Sequence, residues 1–176
     1  MTRTVDGRIR PARPMPPWGH RALAGRYVLK LDKTGRIAIP GAYRHAFFPG
    51  EDECVVAPLS KNSAGLFTPL AFDLVLEDLD NDEIATLAHP RASRWLAMSS
   101  HYLSVDNQYR IVLPPDIRER VDLGSQIVLG GAYDRIEVWN AENFAEEGED
   151  EIEHVTSHLD NLKVKRTKRP EGGGES

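Results

Sequence analysis

Two stretches of this chain place the same side chains in the same order. Asp32-Lys33-Thr34-Gly35-Arg36-Ile37-Ala38-Ile39-Pro40 matches Asp106-Asn107-Gln108-Tyr109-Arg110-Ile111-Val112-Leu113-Pro114 at an offset of 74 residues. In each, a carboxylate precedes a guanidinium by four positions across a turn-forming segment. An arginine at the root of a tight turn presents a planar fork of donors, which suits phosphate oxygens and the O6/N7 edge of guanine. The aspartate can close the turn on the backbone two residues on, or orient the arginine. The plainer alternative is a surface ion pair worth roughly 0–1 kcal/mol. Lys33 and Arg44 add positive charge near the first motif, and Arg118, which matches Arg44 at the same offset, does so near the second.

Other chemistry is poorly represented. His20, His45, His89 and His101 have no metal-ligand spacing, and His154 and His158, four apart, lack a third ligand. Cys54, the single cysteine, sits in the apolar run Cys54-Val55-Val56-Ala57 and reads as a small buried residue, with no disulfide possible within the chain. There is no Gly-rich phosphate loop and no nucleophile motif, so the reading is not an enzyme, with no cofactor, metal or small-molecule substrate expected.

The repeat also predicts the elements that hold these residues. Residues 27–31 alternate like a half-buried strand, 32–35 form a turn, and 36–39 return. A short helix follows over 41–47, then strands over 53–58 and 65–67, and Thr68-Pro69 reads as a helix start. The second copy predicts strands at 101–105 and 110–113, a helix at 115–121, strands at 126–131 and 135–139, and a helix capped by Asn140. Tyr109 stands where the first copy has Gly35, which predicts a changed second turn. Further on, Leu66-Phe67-Thr68…Phe72 parallels Val138-Trp139-Asn140…Phe144 at an offset of 72, so the first copy holds two extra loop residues. Between the copies, 70–79, 84–88 and 95–98 read as helical. One copy of about 45–50 residues buries little surface alone; two packed together share a core and imply a pseudo-twofold axis.

The chain has 176 residues, of which 40% are hydrophobic and 28% charged, the balance of a globular protein. No apolar run approaches the roughly 20 residues of a membrane span, and Met1–Leu23 has no signal-peptide core, so a cytoplasmic location is expected. The net charge of −5 argues against a polyanionic partner until its distribution is considered. Arg3, Arg8, Arg10, Arg13 and Arg21 crowd the start, and Lys163 to Arg169 the end, while acids cluster at Glu77–Glu83 and Glu142–Glu153. Local potential, not whole-chain charge, governs nucleic-acid binding. The two basic ends read as disordered extensions.

These residues resemble the MraZ family. Gly25-Arg26-Tyr27…Asp32-Lys33-Thr34-Gly35-Arg36…Pro40…Tyr43-Arg44 is similar to its first half, and Val105-Asp106…Arg110…Pro114…Arg118 with Val128-Leu129-Gly130 and Glu137-Val138-Trp139 to its second. The resemblance covers about residues 23–160. It implies an α+β, mainly β fold: two tandem SpoVT-AbrB units in a pseudo-twofold, swapped-hairpin-like β-barrel with flanking helices. The units would span 23–98 and 99–162, between extensions 1–22 and 163–176. It implies a nucleoid-associated transcriptional regulator of the division and cell-wall gene cluster and of its own promoter, bound to direct repeats in double-stranded DNA as a ring homo-oligomer. The Asp-x-x-x-Arg arginines, Arg36 and Arg110, would contact DNA, supported by Asp32, Asp106, Lys33, Arg44 and Arg118. The alternatives are an antitoxin-like DNA-binding protein of the same fold that neutralises a toxin, and a protein-binding scaffold using the acidic helices.

Overall fold

The structure, a computed structural model, describes residues 4–5, 8–9, 23–47, 52–82, 89, 91–146 and 154–155. A short pair, β1 (Thr4–Val5) and β2 (Arg8–Ile9), precedes the body of the chain. Then come β3 (Arg26–Lys30), β4 (Arg36–Ala38), α1 (Gly41–Phe47), β5 (Glu53–Pro58), β6 (Ser63–Phe67) and α2 (Pro69–Asn81). After α3 (Ala92–Met98) the order recurs: β7 (His101–Ser104), β8 (Arg110–Val112), α4 (Pro115–Arg120), β9 (Gln126–Gly131), β10 (Ile136–Asn140) and a helix, α5, at 141–146. Local chemistry sets several ends. The Ala71 N–H donates to the Thr68 hydroxyl at 3.1 Å, capping α2 with Pro69 in its first turn. The Glu142 N–H donates to Asn140 Oδ1 at 3.0 Å and starts α5 in the same way. The helix expected at 84–88 lies outside the described residues.

Six strands form one antiparallel sheet in the order β3-β9-β10-β6-β5-β7. Strands from the two sequence halves interleave in it: β3 pairs with β9, and β7 with β5. The sheet stays open, with β3 and β7 at its edges, and no closed barrel forms among the described residues. That departs from the expected barrel. The reason lies in β4 and β8, which are three residues long and pair with each other instead of extending the sheet.

Period-two alternation sorts the side chains onto two faces. Leu29, Cys54, Val56, Leu66, Ile127 and Leu129 point inward, toward the β4–β8 ribbon, Tyr43 of α1 and Ile117 of α4; together they make the main core. Val55, Ala57 and Phe67 point outward, beneath α2 and α3, where Phe72, Val75, Leu76 and Leu96 cover them. Hence β5 is apolar on both faces, which explains the unbroken run around Cys54. Burial pushes the Cys54 thiol up to about 12, so it stays protonated and inert near neutrality.

The pairing registers also locate the two extra residues of the first half. The register partners of β3–β9 and β5–β7 match at an offset of 73, between the 74 of the hairpins and the 72 of β6 and β10. One residue therefore falls in the α1–β5 connection and the other in the β5–β6 turn, not both in a single loop.

The ribbon's inward pair, Ile37 and Ile111, is 2% and 1% exposed. Ile111→Ala is expected to destabilise the fold by about 2–5 kcal/mol in urea unfolding. Val112→Ala, at a neighbouring position that is 48% exposed, should change stability by under about 1 kcal/mol.

Candidate nucleic-acid interface

The two motif arginines meet on one surface. In the β4–β8 ribbon, Arg36 lies opposite Val112, Ile37 opposite Ile111, and Ala38 opposite Arg110. Since Ile37 and Ile111 point into the core, alternation turns Arg36, Ala38, Arg110 and Val112 to the other face. Arg36 and Arg110 occupy diagonal positions there, with Cα atoms about 7–8 Å apart by strand geometry. Two backbone bonds lengthen the ribbon: the Ile39 N–H donates to the Tyr109 carbonyl and the Leu113 N–H to the Gly35 carbonyl, both at 2.8 Å.

Each aspartate organises its turn. Asp32 Oδ1 accepts from the backbone N–H groups of Thr34 and Arg36, both at 2.9 Å, and from the Thr34 hydroxyl at 2.6 Å. Asp106 Oδ1 accepts from the Gln108 and Arg110 N–H groups at 2.8 and 3.0 Å. The Thr34 hydroxyl foremost, then the Arg36 N–H, hold the Asp32 carboxyl below its ordinary value of 3.8. Partial desolvation raises that of Asp106, but the Arg110 side chain and the Arg110 and Gln108 N–H groups outweigh it, and it too ends low.

The arginines differ. Arg110 Nε donates to Asp106 Oδ2 at 2.7 Å, whereas Arg36 is exposed and its guanidinium makes no hydrogen bond or ion pair with a described residue. All three donors to Asp32, the Thr34 hydroxyl among them, reach Oδ1, whereas Asp106 takes its two N–H groups on Oδ1 and Arg110 Nε on Oδ2. Lys33 stands exposed in the first turn.

Arg44 and Arg118 make contacts between the halves. Each comes from the helix after one hairpin and packs on the turn of the other. The Arg44 guanidinium lies 4.7 Å from the Tyr109 ring centroid, and its Nε donates to the Ile39 carbonyl at 2.9 Å. Arg118 lies against Gly35, with its Nε buried and unpartnered among the described residues. Both are half-buried and brace the turns they touch. Gly35 is constrained twice: its φ is 81°, and a Cβ there would come within 2.6 Å of the Leu113 carbonyl oxygen. Tyr109 adopts the same left-handed conformation, φ 57°, and closes its turn onto the Asp106 carbonyl at 2.8 Å, as Gly35 closes onto Asp32 at 3.0 Å. The second turn is thus preserved despite the tyrosine, with the Arg44 stack against its ring. That stack, and the outward Ala38 and Val112, were not singled out from sequence; the alternation of Arg36-Ile37-Ala38-Ile39 was the available signal.

The four acids of α2, Asp73, Glu77, Asp78 and Asp80, are exposed on a helix that packs on the opposite side of the sheet from the ribbon. Among the described residues there is no group of three potential metal ligands, and no helix long and apolar enough to cross a membrane.

Fold and site together define an α+β protein, mainly antiparallel sheet, that displays a cationic two-stranded ribbon. The MraZ family profile, whose description adds the words antitoxin-like, matches residues 96–163. A "Transcriptional regulator MraZ" of Neisseria gonorrhoeae is 30% identical over 127 residues, 70% of this chain and 83% of that protein. The namesake from Alkalilimnicola ehrlichii is 36% identical over 116 residues, 65% and 77% of the two chains. That of Corynebacterium kroppenstedtii is 30% identical over 123 residues, 68% and 82%. The chain belongs to the MraZ family.

The lowered carboxyls set a pH dependence. The contribution of Asp106 is complete above its ordinary value of 3.8 and fades as the pH falls through its lower native value. Asp106→Asn keeps an acceptor for the turn but loses the charge. The stability gap between it and the unaltered protein, followed by urea unfolding, should narrow as the pH is taken from about 7 to about 2.5; a constant gap would contradict this.

Proposed function

We propose that this chain is a sequence-specific DNA-binding transcriptional regulator whose β4–β8 ribbon enters the major groove. The observation that carries the reading is that Arg36 and Arg110 share the ribbon's outward face, with the small apolar residues Ala38 and Val112 between them. A major groove of about 12 Å admits a two-stranded ribbon, and arginine on guanine with an apolar contact to a thymine methyl is the readout such a face allows. Asp32 and Asp106 set the turns, Lys33 adds phosphate attraction, and Arg44 and Arg118 brace the hairpins from below. The acids of α2 lie on the far side, so the net charge of −5 does not oppose approach from the ribbon side.

The same reading takes the chain as two tandem SpoVT-AbrB units, 23–98 and 99–162, about a pseudo-twofold axis. The recurring element order supports this, as do pairings that survive exchange of the halves: Arg36–Val112 becomes Arg110–Ala38, and Leu66–Ile136 becomes Val138–Ala64. One ribbon offers only two arginines, each worth about 1–3 kcal/mol on a matched base. Specific binding then needs several subunits on direct repeats, where linked contacts raise affinity by roughly 10²–10⁴. A ring homo-oligomer acting on the division and cell-wall cluster and its own promoter, in the cytoplasm at the nucleoid, fits this, with no enzymatic activity. The antitoxin-like wording of the family description keeps a second reading: DNA binding joined to neutralisation of a toxin, which co-purification of a toxic partner would reveal.

Arg36→Ala should abolish the specific electrophoretic shift on the promoter while light scattering returns an unchanged particle mass. Arg110→Ala should cost less, because Asp106 already holds that guanidinium. Wild-type affinity should fall with salt at a log–log slope of about −0.9 per phosphate neutralised. Unaltered DNA affinity in Arg36→Ala would remove the ribbon from the account.

A further inference from the structure

The β4–β8 ribbon is close to its own image under a half-turn. Exchange of the halves carries the Arg36–Val112 pair onto Arg110–Ala38 and leaves Ile37–Ile111 in place. The two strands run antiparallel and each follows its turn, so the turns stand at opposite ends of the ribbon. A duplex has local twofold axes of its own, and a protein of matching symmetry reads a palindrome. A ribbon with identical ends would therefore enter the groove equally well in two opposed directions. Only the side chains at its ends can tell those directions apart.

The ends differ in charge and in how the charge is held. Lys33 stands exposed in the first turn, where the second has the neutral Asn107. Gly35 adds no side chain to the first turn, whereas Tyr109, 38% exposed, sets a neutral ring at the second. Arg110 Nε is bonded to Asp106 Oδ2 at 2.7 Å, while Asp32 accepts from the Thr34 hydroxyl and two N–H groups and makes no such bond to the exposed Arg36 side chain. The bracing arginines follow the same division. At the second end, Arg44 gives its Nε to the Ile39 carbonyl and its face to Tyr109. At the first, Arg118 keeps its Nε buried against Gly35 with no acceptor among the described residues. Lys33, Arg36 and Arg118 thus gather around Asp32, but only Arg110 and Arg44 around Asp106. Phosphate attraction scales with the number of cations offered. A guanidinium already bonded to a carboxylate must also give up that charge-assisted bond before it grips a base.

We propose that the ribbon of a single chain seats on duplex DNA in one direction, with Lys33 on a backbone phosphate and Arg36 on a base edge at the strongly held end, and the Asn107–Tyr109 turn at the weakly held end. The proposal deepens the DNA-binding function proposed above and rests on it. The direction is then a property of one ribbon, set before any neighbouring chain adds a contact. Base changes beneath Arg36 cost more affinity than base changes beneath Arg110, and each recognised site is lopsided, not palindromic.

Crosslinking from the DNA side tests this on the unaltered full chain. A short duplex holding one copy of the site protected in the promoter carries a photoreactive group on a phosphate at one flank or, in a second duplex, at the other. Mass spectrometry then reports which hairpin is captured. One flank should capture the peptide with residues 32–36 and the other the peptide with residues 106–110, each in about tenfold excess or more. Both peptides captured from each flank in similar yield would overturn the proposal while leaving the ribbon on the DNA. A shifted duplex whose crosslinks avoid both hairpins would instead remove the ribbon reading itself. The double variant Lys33→Asn/Asn107→Lys, altered only at exposed turn positions, should lower the excess or reverse it. An excess unchanged in that variant would overturn the proposal too, because something other than the turns would then set the direction.

Discussion

The antiparallel pairing of β4 with β8 is the constraint from which the rest follows. Each strand has only three residues, and their central isoleucines are removed from water together. Burying two such side chains contributes about 3–6 kcal/mol, before the ladder hydrogen bonds are added. Alternation then leaves no choice for the neighbours: with Ile37 and Ile111 inward, Arg36 and Arg110 must face out. A slip of either strand by one residue would turn its guanidinium toward the core and its isoleucine outward, so the register is strongly specified. The cationic face is a by-product of core packing, which makes its geometry rigid.

Around that pair, the chain uses each half to complete the other. Strand β3 finds its partner in β9 and β7 in β5; Arg44 braces the second turn and Arg118 the first. Neither half presents a finished hairpin without its counterpart. The price is asymmetry where the halves have diverged. Arg110 is bonded to Asp106 Oδ2, while Asp32 takes its three donors on Oδ1 and makes no such bond to the Arg36 side chain. Among the described residues, α3 covers the outer face on the β5 side. The ribbon and the acidic helix α2 therefore lie on opposite sides of the sheet.

Much of this was legible in the residues. The Asp-x-x-x-Arg repeat, the Ile-x-Ile alternation, Thr68-Pro69 and Asn140 mark their elements locally, because turns and caps are decided within about four residues. The Asp32 and Asp106 turns and the outward arginines followed from the same short-range rules. What could not be read were the long-range choices. Nothing local tells β4 to pair with β8 instead of closing a barrel, since a three-residue strand satisfies either arrangement. Arg44 and Arg118 looked like further surface cations; only the tertiary crossing of each helix to the opposite turn shows them as braces. Tyr109 misled for a related reason: a left-handed tyrosine is uncommon, and here it stands beneath an arginine that lies 65 positions away in sequence.

The central claim is that DNA lies against the outward face of the ribbon. Site-specific photocrosslinking addresses it directly, with the reactive group placed at position 38, between the two arginines, and in a second protein at position 73 on α2. The account predicts a covalent DNA adduct from position 38 and none from position 73. An adduct from position 73 with none from position 38 would place the duplex on the other side of the sheet and contradict the account.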